Sequence, residues 1–188
     1  MYTDNQFCDG GKTLPDSRYV IDLQKETVLD KQTKLMWKRC PEGVAGEYCE
    51  LFAPHNPLEQ YEKESDRKWG KSRAMLMRFS ELNGAVQRNL NFAGYSGWRV
   101  ATIEDFLTIR DNNCKLPATN SKAFPSGSWG RNGLPSNFWT STVESSPSGF
   151  QITYIVGMGE GRKFNLQATP ESRASHSGSY GVRLVRDH

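Results

Sequence analysis

The sequence predicts an α+β fold of short elements, on three observations. Strand-like segments cluster towards both ends of the chain, two stretches of helical periodicity lie between them, and loops rich in glycine and proline fill much of the rest. With 17 glycines, 9 prolines and few apolar runs longer than four, the connections are long and ordered, which argues against a helical bundle. The 188 residues suffice for one core, and no break in composition divides them, so a single domain over residues 1–188 is expected.

The first strands are read at Tyr19-Val20-Ile21-Asp22, Thr27-Val28-Leu29-Asp30 and Leu35-Met36-Trp37, a small meander with polar turns between its members. Residues 41–71 are rich in proline, glycine and charges of alternating sign and read as a charged loop or insertion. A helix is expected from a cap at Ser72 to about Arg88, because Met75, Phe79, Leu82 and Val86 share one helical face. Thr102 and Asp105 make a capping-box-like start for a second helix reaching about Arg110, with Ile103, Phe106, Leu107 and Ile109 as its buried stripe. A broken stretch holding Phe124, Trp129 and Leu134 follows. Strands are then expected at residues 137–143, 149–156 and 180–186, with a shorter one at 162–167 reached through a glycine-rich turn.

The charge of +3, from 24 basic and 21 acidic residues, is too balanced for a dedicated nucleic-acid protein, although the pI near 8.7 suits acidic glycans. No stretch approaches the roughly 20 apolar residues of a membrane span. The four cysteines form no CxxC pair and lie beside no histidine at zinc spacing, which favours disulfides over a metal cluster. Three pairings are open. Pro41, Gly43 and Gly46 make the segment between Cys40 and Cys49 a tight loop, which favours that bridge and leaves Cys8 with Cys114. Four buried free thiols in a cytosolic protein are the competing reading. Bridges imply export, whereas Met1-Tyr2-Thr3-Asp4 opens no signal peptide, so a secreted or cell-surface chain lacking its signal or anchoring segment is expected.

The order of four motifs is distinctive: Leu35-Met36-Trp37-Lys38-Arg39-Cys40, Gly94-Tyr95-Ser96-Gly97-Trp98-Arg99 with Thr102-Ile103-Glu104-Asp105-Phe106, Phe138-Trp139-Thr140-Ser141-Thr142, and Tyr180-Gly181-Val182-Arg183-Leu184-Val185-Arg186. Over residues 18–186 the chain resembles the DUF1566 family, which includes the C-terminal domain of a Legionella collagen-like adhesin. The resemblance implies a C-type-lectin-like fold with two helices, a small twisted antiparallel sheet and long ordered loops, distantly related to formylglycine-generating enzymes. It departs from the family pattern at Val100-Ala101-Thr102 and in the charged segment 54–71.

Trp37, Trp98 and Trp139 head the shared motifs and read as core anchors. Arg99, Arg183 and Arg186 read as partners of carboxylates such as Glu104 or Asp105 rather than as ligand groups. The loops that such folds use for ligands contain Trp129, Gly130 and Arg131, and Arg162 with Lys163, where an indole beside a guanidinium suits an acidic sugar. The sequence lacks the acid-amide runs of calcium-dependent lectins, so no metal or other cofactor is expected. His55, His176 and His188 stand near no nucleophile motif, and no reactive cysteine pair is marked, so no enzymatic activity is expected. The expected function is adhesion or receptor binding at a bacterial surface, through a glycan or a host or cell-surface receptor, with polyanionic glycans the sharper expectation. The competing function is a structural or assembly subunit of a surface filament such as a pilus, or a homo-oligomer; nucleic acid is not an expected partner, and no membrane span is expected in this chain.

Overall fold

The computed structural model describes residues 6–53, 74–115, 117–125, 134–145, 147–149, 151–158, 167–170 and 178–188. The meander appears where the alternation of apolar residues places it, as β2 (Tyr19–Asp22), β3 (Thr27–Asp30) and β4 (Leu35–Lys38). The C-terminal strand β12 (Leu184–Asp187) pairs with β4 on one side and with β7 (Arg99–Val100) on the other, which completes an antiparallel five-stranded sheet of order β2-β3-β4-β12-β7. Its register aligns Val28, Trp37 and Val185 across three strands and sends Met36, Leu184 and Val100 to the opposite face. Period-two alternation therefore divides the core between the two faces of one sheet.

The first face carries Trp37, Val28 and Val185 against Phe106, Ile109, Phe124 and Phe138, with the Trp37 ring 5.8 Å from both Phe106 and Phe124. The second carries Met36, Leu184 and Val100 against Leu82, Ala85, Trp98 and Trp139. The three tryptophans that head the shared motifs are thus core, as Trp37, Trp98 and Trp139 are at most 4 % exposed. A second sheet, β9 (Asn137–Ser145), β10 (Gln151–Gly157) and β11 (Gln167–Pro170), lies in the order β11-β10-β9. Phe138 and Val156 enter the first cluster, whereas their neighbours Trp139 and Ile155 enter the second, so the β9–β10 pair joins the two halves of the core. The backbone of Gly181 approaches this sheet closely: it receives the Trp139 N–H and donates to Asn137 O. A Cβ at Gly181 would stand 2.4 Å from Pro135 Cγ, so no side chain fits there.

The helices are α1 (Leu82–Arg88) and α2 (Ile103–Ile109). The second starts at the expected capping box, with Asp105 N donating to Thr102 Oγ1 at 3.1 Å and Thr102 N to Asp105 Oδ2 at 2.8 Å. Phe106 and Ile109 are fully buried, but Leu107 is half exposed and does not belong to the stripe. The first helix is shorter than its periodicity suggests, and the expected cap Ser72 lies outside the described residues. Met75 and Met77 instead run extended, Met75 N donating to Glu42 O and Met77 exchanging backbone bonds with Tyr180. A 3₁₀ turn at Phe79–Glu81 precedes α1. Met75, Phe79 and Val86 still pack on the second cluster, because tertiary pairing replaces helix while keeping the buried face.

Within the expected charged loop, residues 44–45 and 51–52 form a two-stranded hairpin, β5 (Val44–Ala45) and β6 (Leu51–Phe52). The Cys40–Cys49 bridge closes it. Cys8 and Cys114 form the other bridge, on the two-stranded pair β1 (Phe7–Cys8) and β8 (Cys114–Lys115), and no free cysteine remains. Buried Asp111 fastens the same arm, accepting from the backbone N–H groups of Thr13 and Leu14 and from the Thr13 hydroxyl. Among the described residues no helix is long and apolar enough to cross a membrane. The molecule is α+β, with two helices and small antiparallel sheets among those residues.

Candidate functional site

Trp129, Gly130, Arg131, Arg162 and Lys163 lie outside the described residues, as does the expected strand 162–167 apart from Gln167, which opens β11. Arg99, Arg183 and Arg186 take three different roles. Arg99 forms a forked pair with Asp105, and Asp187 stands 3.8 Å from it. Arg183 departs from the expected carboxylate pairing. Its buried guanidinium donates to the carbonyls of Arg39, Lys38 and Pro125 and lies over the rings of Phe124 and Phe138. Burial pulls its pKa down to about 9, which leaves it charged at neutral pH.

Arg186 lies over the Tyr95 ring at 5.0 Å, and Lys25 Nζ stands 5.1 Å from the same ring and 3.3 Å from its hydroxyl. The turn after β2, the segment before β7 and the last strand thereby converge on one partly exposed phenol held between two cations. Among the described residues neither Lys25 nor Arg186 has a carboxylate in ion-pair range, and Arg186 Nε has no hydrogen-bond partner.

Next to this ledge, through the adjacent residues Lys25 and Glu26, opens a cleft of about 610 Å³ between the β5–β6 hairpin and the C-terminal end of α1. Its floor begins with Lys38. Alternation along β4 puts this side chain on the same face as buried Met36, so its ammonium requires an internal partner. That partner is Glu42, itself fully buried, whose Oε2 accepts from Lys38 Nζ at 2.9 Å and from Asn89 Nδ2 at 3.0 Å. Lys38 also donates to Asn89 Oδ1 at 3.0 Å and stands over the Phe92 ring at 4.8 Å. Arg88 reaches the other oxygen, Nε to Glu42 Oε1 at 3.2 Å, while keeping 31 % of its side chain exposed.

Gly84 makes room for this arrangement. A Cβ there would meet Arg88 Nη1 at 3.2 Å, so the glycine lets the guanidinium fold back along its own helix towards Glu42. Glu26 also lines the cleft, its carboxylate accepting from Gly46 N at 2.6 Å. Val44, Ala45, Ala53 and Phe92 supply apolar walls, and Gln87 and Asn91 supply carboxamides. Lys38, Glu42, Arg88 and Asn89 are absent from the sequence reading of the site. One signal for them was present: a lysine in phase with buried Met36 on a strand demands an acid elsewhere in the chain.

Among the described residues no three His, Cys, Asp or Glu side chains converge as a metal site requires. Fold and site together define a disulfide-stapled α+β protein with an aromatic-cationic ledge and an adjoining cleft. The chain belongs to the Lcl C-terminal domain family, whose model matches residues 26–186. No curated protein and no solved structure matches it.

Proposed function

We propose that this chain is the adhesive or receptor-binding domain of an exported bacterial surface protein and that it binds a glycan, polyanionic glycans first, without catalysis. The observation that carries this reading is the ledge on which Lys25 and Arg186 stand against Tyr95 with no carboxylate in ion-pair range among the described residues. The two cations can meet the sulfate or carboxylate of an acidic sugar, and the phenol between them holds both in place. Membership of the Lcl C-terminal domain family and the two disulfides support the surface setting. Trp129, Arg131, Arg162 and Lys163, which lie outside the described residues, stay in the same proposal as ligand groups on the strength of the sequence alone. Joining the N-terminal meander and the C-terminal strand in one sheet flanked by two helices supports a C-type-lectin-like variant of the fold.

The test is binding of the non-reduced protein to sulfated and neutral glycans, repeated with a chelator and at raised salt. The expected result is selective binding of sulfated chains that survives chelation and weakens as salt screens the ledge. The double variant Lys25→Ala with Arg186→Ala should weaken it by about tenfold or more, about 1.4 kcal/mol. Failure to bind any polyanion at low salt overturns the reading.

The competing role, an assembly subunit of a surface filament, draws on one observation. Edge strand β2 and its turn expose Val20, Ile21 and Leu23 at 51 %, 36 % and 50 %. Analytical ultracentrifugation decides between them: concentration-dependent growth abolished by Val20→Lys would favour assembly, and a monomer at all concentrations would remove it.

A further inference from the structure

We propose that the cleft between the β5–β6 hairpin and the end of α1 is a second binding site, one that takes an uncharged sugar residue without calcium. The ligand chemistry follows from what lines it. The two cations that line it, Lys38 and Arg88, share the buried carboxylate of Glu42, and a second carboxylate, Glu26, lines the same cleft. Each cation thus has an acid close by. A sulfate or carboxylate entering here would meet Glu26, so the site suits a ligand without net charge, in contrast to the Lys25–Tyr95–Arg186 ledge.

Hydroxyl groups fit the remaining polar set, because each donates one hydrogen bond and accepts two. Glu26 accepts, the Arg88 guanidinium donates, and the exposed carboxamides of Gln87 and Asn91 do both. These groups are held in place. The bond from Arg88 Nε to Glu42 holds the guanidinium before any ligand arrives, which lowers the ordering cost of binding. Ala45, Ala53 and Phe92 offer the apolar face of a pyranose a wall. The volume of about 610 Å³ lies within the roughly 300–1,000 Å³ usual for small-ligand pockets, enough for one or two sugar rings.

The test is a titration of the ¹⁵N-labelled protein with methyl glycosides of glucose, galactose, mannose and N-acetylglucosamine and with their β-linked disaccharides. Saturable shifts confined to the amides of Ala45, Arg88, Asn91 and Phe92 are expected for at least one of them. The affinity should be the same at about 50 mM and about 500 mM salt, since no net charge is exchanged, and unchanged by chelator. Asn91→Ala, at an exposed position, should weaken binding by roughly tenfold, and Ala45→Phe, which fills the cleft, should abolish it. The variant lacking Lys25 and Arg186 should keep it, so that failure of the ledge and failure of the cleft are read separately. Absence of shifts at these four amides with every sugar, or unchanged binding by Ala45→Phe, overturns the proposal.

Discussion

Arg183 is a cation buried without a carboxylate among the described residues, and three main-chain carbonyls with two aromatic rings take the place of one. The carbonyls belong to segments far apart in sequence, so this side chain fastens the end of β4 to the loop leaving Phe124. Replacing it by methionine keeps much of the volume but leaves those carbonyls without a donor, at a cost of roughly 3 kcal/mol. Urea unfolding of Arg183→Met should show that loss in the midpoint with little change in slope. Glu42→Ala is expected to cost about 3–5 kcal/mol in the same assay, because it strands the Lys38 ammonium inside. A result below about 1 kcal/mol would mean that the ammonium finds water instead. The sequence shows each of these charges sitting among apolar residues; it does not show which partner answers it. Lys38 and Asn89 are 51 positions apart, and Arg183 and Pro125 are 58, distances that only the completed fold closes.

At the level of elements, legibility tracks how local the determinants are. The β2–β3–β4 meander and the start of α2 stand where expected, since alternation and a capping box are written within a few residues. Thr102→Ala should therefore cost about 1 kcal/mol, measured as a fall in Tm. The first helix starts late because Met75 and Met77 are claimed by Glu42 and Tyr180, and the β5–β6 hairpin is not legible in the sequence because its four strand residues are too few to show alternation. The two bridges differ in the span they close, 106 residues against 9. On loop-closure entropy the Cys8→Ser/Cys114→Ser variant should lose between roughly 4 and 5 kcal/mol, and Cys40→Ser/Cys49→Ser about 2–3 kcal/mol. Equal losses in calorimetry would show that strain or residual structure dominates the entropy of the open chain.

For the whole molecule, acidity is the condition to which the fold is most exposed. Burial disfavours the charged forms of Asp30, Asp105 and Asp111, yet opposing bonds outweigh it: Arg18 and Thr33 for the first, Arg99 and Thr102 for the second, Thr13 and the Leu14 amide for the third. All three carboxyls end below their ordinary value. Folding energy from a lowered carboxyl is present in full above the unfolded pKa, about 4, and drains away as pH falls through the lower folded value. The Tm should accordingly stay level from about pH 7 to 5 and fall steeply below about pH 4, with Asp111→Asn showing a lower but flatter profile. A flat profile for the parent protein would contradict these carboxylate assignments.

The bond between Cys8 and Cys114 also bears on mechanics. A pull applied to the two ends of the folded chain enters at Cys8 and crosses at once to Cys114, so the 106 residue steps between them, the meander and both helices included, carry no tension. In oxidising surroundings such a pull can draw out only the segments outside the bridge, and reduction would release roughly 350 Å of further extension in single-molecule stretching. In the adhesive role proposed above, this bridge would limit how far a strained attachment lengthens before it lets go.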